Sequence, residues 1–159
     1  YMVSGTTTAE IHRDMLWQSP FRKAGRSYVA ETGSRFNWRY TTTSHDNVCA
    51  ITDVHVEVDI TITMPVHENE ASLSANVLQR WHEYLDGVRA HEQVHADHAV
   101  QAARELEKKL LAVPQQANCW RIDDMVDQIG TEVLDAMTAR DEAFDRDTRH
   151  GMNARQPFP

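Results

Sequence analysis

The sequence predicts an α+β fold: an antiparallel hairpin forming a small sheet, packed on a long helix, with a second helix returning antiparallel to the first. Three observations predict it. Val54, Val56, Val58, Ile60, Ile62 and Met64 alternate with His55, Glu57, Asp59, Thr61 and Thr63, the period of two that marks a strand with one buried face. Leu73, Val77, Trp81, Tyr84, Val88, His91, His95, His98, Ala102, Leu106 and Leu110 follow at three- and four-residue steps, one stripe of an amphipathic helix. Ile122, Met125, Val126, Ile129, Val133, Met137 and Phe144 repeat that helical period.

Taken in order, Thr7-Thr8-Ala9-Glu10 has the form of a capping box, and Ile11, Met15 and Leu16 continue it as a short helix that Ser19-Pro20 stops. Tyr28, Ala30, Phe36, Trp38 and Tyr40 occupy even positions with Arg35, Asn37 and Arg39 between them, a strand pattern over 28–40. Thr43 to Asn47 is turn chemistry, and the 54–64 strand after it ends at Pro65. A straight helix over 73–112 would be ~60 Å long. A single core of this size has a radius of gyration near ~15 Å, so a break is expected, at Asp86-Gly87. Val113-Pro114 to Asn118 is the loop before the last helix, whose first turn carries Asp123 and Asp124 on the side favoured by the helix dipole. The organisation expected is one domain over residues 1–151 and a flexible tail over 152–159.

Composition narrows the class. The chain has 159 residues, 41% hydrophobic and 25% charged, enough for a real core. Its formal net charge is −8 and it has no long Lys/Arg block, so nucleic acid is not the expected partner. No apolar run approaches the ~18 residues that a membrane span needs. No basic-then-apolar stretch is visible from Tyr1 on, and the expectation is that a leader was removed or the sequence trimmed. Cys49 and Cys119 are far apart and outside any C-x-x-C arrangement. They suit a disulfide, which would mean an oxidising compartment, or two buried thiols.

The chemistry centres on His91-Glu92-Gln93-Val94-His95. Residues four apart on a helix share a face, ~5–6 Å between Cβ atoms, so both imidazoles can reach one zinc ion. Glu92, rotated away by ~100°, can hydrogen-bond a bound water as general base without ligating. In this composition the motif is expected by chance about 0.03 times. The bland alternative is a solvated helix that happens to carry histidines. Against it, His91 and His95 lie on the apolar stripe, where each would need a partner. A catalytic zinc takes a third protein ligand. His98 lies seven residues from His91 with no glycine to turn the chain, so it reads as a pocket or neighbouring residue. If the last helix pairs with the first about residue 116, Asp141 stands opposite His91, with Asp145 one turn on. His150 lies just beyond the helix end, where Gly151 lets the chain turn back.

Val3-Ser4-Gly5-Thr6-Thr7, Phe36-x-Trp38-x-Tyr40, Asp59-Ile60-Thr61-Ile62-Thr63, the His91–His95 motif and Phe144-Asp145-Arg146-Asp147-Thr148-Arg149-His150-Gly151 together resemble a family of bacterial domains of unknown function. That family is regarded as secreted zinc-dependent proteases of the zincin-like group. The resemblance covers nearly the whole chain, and its ending, aromatic-Asp-x-x-Thr-x-His-Gly, is specific. Phe144 stands where the family usually has Tyr, which removes one hydroxyl donor. The resemblance implies a zincin-like fold, export to the periplasm or outside the cell, and pairing of Cys49 with Cys119. It also implies His150 as third ligand to one Zn²⁺, while helix register favours the alternatives Asp145 and Asp141; Asp145, His98 and Thr148 are the expected neighbours of the metal shell. The function expected is a zinc-dependent hydrolase, a peptidase acting on a peptide or protein through Glu92. The alternative is a non-catalytic, zinc-stabilised binding or interaction domain. For the oxyanion, His98, Arg149 and Tyr40 are candidates.

Overall fold

The computed structural model describes residues 1–23, 25–151 and 158. Its elements in chain order are strand β1 (Met2–Val3), helix α1 (Thr8–Gln18) and the short strands β2 (Arg22–Lys23) and β3 (Arg26–Ser27). The long strands β4 (Glu31–His45) and β5 (Val48–Thr63) follow, then β6 (Val66–His67), a 3-10 turn at Glu70–Ser72, and helices α2 (Ala75–Leu111) and α3 (Cys119–Thr148). This is an α+β arrangement of three two-stranded sheets, β1 with β6, β2 with β3 and β4 with β5. The first pair is parallel and the second antiparallel; the third is joined by two residues, which only an antiparallel pair permits. The chain divides into two compact units, one of Tyr1–Gly33, Thr61–Ala96 and Phe144–Pro159, the other of Ser34–Ile60 and Asp97–Ala143.

In the first unit the expected capping box is present. Thr7 Oγ1 accepts from the Glu10 amide, and Glu10 Oε2 accepts from the Thr7 amide at 3.0 Å. Gly5, at φ +124, turns the chain from β1 into α1. A Cβ there would lie 2.8 Å from Glu10 Cβ and 2.9 Å from the Ile11 nitrogen, so only glycine fits. His67 ties this turn down, its Nε2 donating to the Gly5 carbonyl at 2.8 Å while its Nδ1 accepts from the Asn69 amide at 3.1 Å. The core is Val3, Ile11, Met15, Trp81, Tyr84, Val88 and Phe158. Phe158 stacks on Tyr84 with centroids 5.0 Å apart; the rest of the expected 152–159 tail lies outside the described residues. The strand expected from Tyr28 begins only at Glu31, because the β2–β3 hairpin intervenes and the Tyr28 amide donates to the Phe21 carbonyl.

The second unit holds most of the long hairpin. Asp46 and Asn47, at φ 49 and 62, make a two-residue turn with both central residues left-handed, the geometry that matches strand twist. The expected turn over 43–47 is therefore shorter, and strand pairing reaches His45. Val54, Ala102, Leu106, Leu110, Ile122, Val126 and Val133 form the core, with Phe36, Trp38, Tyr40 and Val56 packed against it. Cys49 and Cys119 are joined by a disulfide of 2.07 Å across 70 residues of sequence, and the neighbouring Gln116 exchanges both backbone bonds with Cys49.

The break expected at Asp86-Gly87 is absent: α2 is helical through all 37 residues, Ala75–Leu111. The expectation assumed one core. In the structure the helix contributes Trp81, Tyr84 and Val88 to the first unit's core, and Ala102, Leu106 and Leu110 to the second's. A length of ~55 Å is then no obstacle, and Gly87 costs about 1 kcal/mol of helix propensity that packing offsets.

Candidate metal centre

One helical turn of α2 sets two imidazoles side by side, and the last turn of α3 brings a carboxylate to them, all within the first unit. His91 Nε2 lies 3.0 Å from Asp145 Oδ1, His95 Nε2 lies 3.2 Å from the same oxygen, and the two Nε2 atoms are 3.3 Å apart. Their side chains are 4%, 12% and 30% exposed for His91, His95 and Asp145. Two N–H groups sharing one carboxylate oxygen account for the first two distances but leave two ring nitrogens facing each other. A cation at the centre accounts for all three, since ligand bonds of 2.0–2.1 Å at tetrahedral angles separate donor atoms by about 3.3 Å. His91, His95 and Asp145 are thus a group that can hold a metal ion.

The Phe144 ring closes one side of this group. It stacks on His91 with centroids 4.8 Å apart and meets His95 edge-on at 5.4 Å, which fixes both ring planes and keeps water from their flanks. Glu92 is buried at 6% exposure. It is reached by a residue that sequence patterning passed over: Thr32, near the start of β4, whose Oγ1 lies 2.8 Å from Glu92 Oε2 and 3.0 Å from the Glu92 carbonyl. The sequence sign of Thr32 is a β-branched residue on an even position inside the strand pattern over 28–40.

The end of α3 explains the placement of the family's terminal motif. The His150 amide donates to the Asp145 carbonyl and the Arg149 amide to the Arg146 carbonyl, a Schellman cap. Arg149 and His150 both take left-handed φ, 51 and 54. Without glycine this costs ~1–2 kcal/mol per residue, strain of the kind that collects at functional sites. Thr148 is the keystone, its Oγ1 donating to the Phe144 carbonyl at 2.7 Å and accepting from the Gly151 amide at 3.2 Å. The turn brings His150 Nδ1 to 3.4 Å from Asp145 Oδ2, the second oxygen of the same carboxylate. The Tyr28 ring meets the His150 ring edge-on at 5.1 Å.

The remaining candidates sit in the second unit. His98 Nδ1 is 2.7 Å from Asp141 Oδ1, so Asp141 stands opposite His98 rather than opposite His91. The helix pairing assumed about residue 116 was off by one turn of α3, since Asp145 rather than Asp141 meets His91. The Gln116 and Cys119 links to Cys49 hold the connecting loop against the hairpin tip, so it is not a symmetric reversal. The Tyr40 hydroxyl bonds Asp123, and that bond pushes its pKa up to about 12.

A family model covers residues 1–151 of this chain. The protein belongs to the family described as bacterial protein of unknown function (DUF922). No curated protein and no solved structure matches it. The family resemblance read from the motifs therefore stands, and the family carries no activity with it. The Cys49–Cys119 pairing that the resemblance implied is present and points to an oxidising environment. Among the described residues no helix is long and apolar enough to cross a membrane.

Proposed function

We propose that the protein is an exported, zinc-dependent peptidase, with residues 1–151 acting as one zincin-like domain. The observation that carries this reading is the set of three donor atoms, His91 Nε2, His95 Nε2 and Asp145 Oδ1, at mutual separations of 3.0–3.3 Å, one residue along the helix from a buried Glu92. On this reading His91, His95 and Asp145 hold the ion. His150, the third ligand implied by the family resemblance, sits on the second oxygen of Asp145, where it steadies that carboxylate as partners of metal ligands commonly do. Bound zinc supplies a Lewis acid that makes a coordinated water acidic. Glu92 takes the proton of the attacking water and returns it to the leaving amide nitrogen. Phe144 holds the imidazole planes and excludes competing water. The disulfide suits a periplasmic or extracellular setting.

Metal content and cleavage test this together. Native protein is expected to carry one zinc, His91→Ala and Asp145→Asn none, and His150→Ala one zinc held about 10–100-fold more weakly. Full loss of zinc in His150→Ala, with retention in Asp145→Asn, would restore His150 to the third position. A panel of denatured proteins should be cut by native protein and not by Glu92→Gln, which keeps its zinc. A second reading rests on the 3.4 Å approach of His150 to Asp145. If His150 swings in as a fourth ligand the site is closed and structural, and the protein is a zinc-stabilised binding domain. Zinc without cleavage, in a four-ligand shell, would favour that reading.

A further inference from the structure

We propose that Thr32 is a positioning residue for Glu92: its hydroxyl fixes which carboxylate oxygen Glu92 presents for proton transfer. The inference rests on the peptidase reading for its catalytic consequence, but its geometry stands by itself. Thr32 and Glu92 are 60 residues apart in sequence, yet Thr32 Oγ1 lies 2.8 Å from Glu92 Oε2. A glutamate side chain has three rotatable bonds, and its last torsion is broad and nearly two-fold, so burial alone does not choose between its oxygens. A hydroxyl donating to Oε2 does choose. It fixes the plane of the carboxylate, and with it the direction of Oε1.

The hydroxyl has a second acceptor. The Glu92 backbone carbonyl is 3.0 Å from the same Oγ1, and one hydroxyl proton serves one acceptor well at a time. The contact to Oε2 is the shorter of the two, and the carbonyl of the same residue keeps the hydroxyl beside Glu92. β4 is the element that makes this possible, because Thr32 lies on a strand that pairs with β5 and cannot drift as a loop residue would.

Thr32→Val keeps shape and removes the hydroxyl; Thr32→Ser keeps the hydroxyl. With the full zinc-loaded chain and unfolded casein as substrate, Thr32→Val is expected to lower kcat by about 10- to 100-fold, part of the range that general-base catalysis supplies. KM should stay within about twofold and bound zinc at one equivalent, and Thr32→Ser should recover most of the rate. A readout independent of activity accompanies it: three-bond couplings of the Glu92 side chain by NMR should report one rotamer in native protein and Thr32→Ser, and averaged rotamers in Thr32→Val. The proposal fails if Thr32→Val keeps the native couplings, or if Thr32→Ser is as impaired as Thr32→Val. If native protein cuts nothing, the peptidase reading falls, and the couplings alone decide whether Thr32 fixes Glu92.

Discussion

The two compact units are built by different means. The second is regular: a hairpin whose Val54 and Val56 meet the apolar stripes of two helices, with a disulfide closing 70 residues of sequence. The first is assembled from two-residue strands, one short helix and the ends of longer elements, around Trp81, Tyr84 and Phe158. The candidate metal centre lies in the irregular one. Periodic packing is good at making a stable scaffold. His91, Glu92 and His95 share one stretch of α2, but Asp145 comes from the end of α3 and Thr32 from the start of β4, so the centre needs elements far apart along the chain to meet, and side-chain bonds to hold them.

That contrast can be broken or sharpened by asking which unit each perturbation reaches. The largest expected effect is on the regular unit. Replacing Cys49 and Cys119 by serine should cost about 4 kcal/mol by the loop-entropy relation for a 70-residue separation. It should raise amide exchange in the hairpin and α3 while leaving the metal content of the proposed centre unchanged; loss of metal would mean the staple supports both units. Next comes chelation. If the centre holds zinc as proposed, removing it from about a hundredfold over its Kd should cost about 3 kcal/mol, and the added exchange should fall on residues near His91, His95 and Asp145. Uniform loosening of the hairpin would erase the distinction between the units.

Smaller effects probe the irregular unit alone. Gly5→Ala must move Glu10 or the Ile11 backbone and holds alanine at φ +124, so about 2 kcal/mol is expected by thermal or urea unfolding. Thr7→Ala removes the α1 cap and should cost about 1 kcal/mol. The smallest effect is acid-dependent. The Thr6 amide, then the Thr6 hydroxyl and the Thr7 groups, hold the exposed Glu10 carboxyl below its ordinary 4.5. A group lowered on folding adds stability that is present above that ordinary value and is lost as pH falls through the lowered one. Stability measured from pH 6 to pH 3 should therefore fall less steeply in Glu10→Gln than in native protein.

Much of the second unit was legible in the chain. The alternation over 54–64 and the three- and four-residue steps of α2 and α3 are local patterns, enforced by strand and helix geometry whatever the neighbours. The capping box at Thr7 and Glu10 is equally local. Misreadings came where one segment met another: the strand thought to begin at Tyr28, the break at Gly87, and the register that set Asp141 opposite His91. Each depended on a long-range partner, the β2–β3 hairpin, a second core, and the loop tied to Cys49.

The same division runs through the candidate site. The spacing of His91 and His95, with Glu92 between them, follows from sequence alone, because 3.6 residues per turn puts positions four apart on one face. The Thr148-to-Gly151 ending was visible as a motif. Tertiary structure decided that Asp145 Oδ1 is the atom meeting both imidazoles, that His150 is folded back onto its other oxygen, and that Thr32 reaches Glu92. Sequence spacing sets direction around a helix, but the meeting of two helices and a strand is set by side-chain packing between segments distant in sequence, which no window of the chain contains.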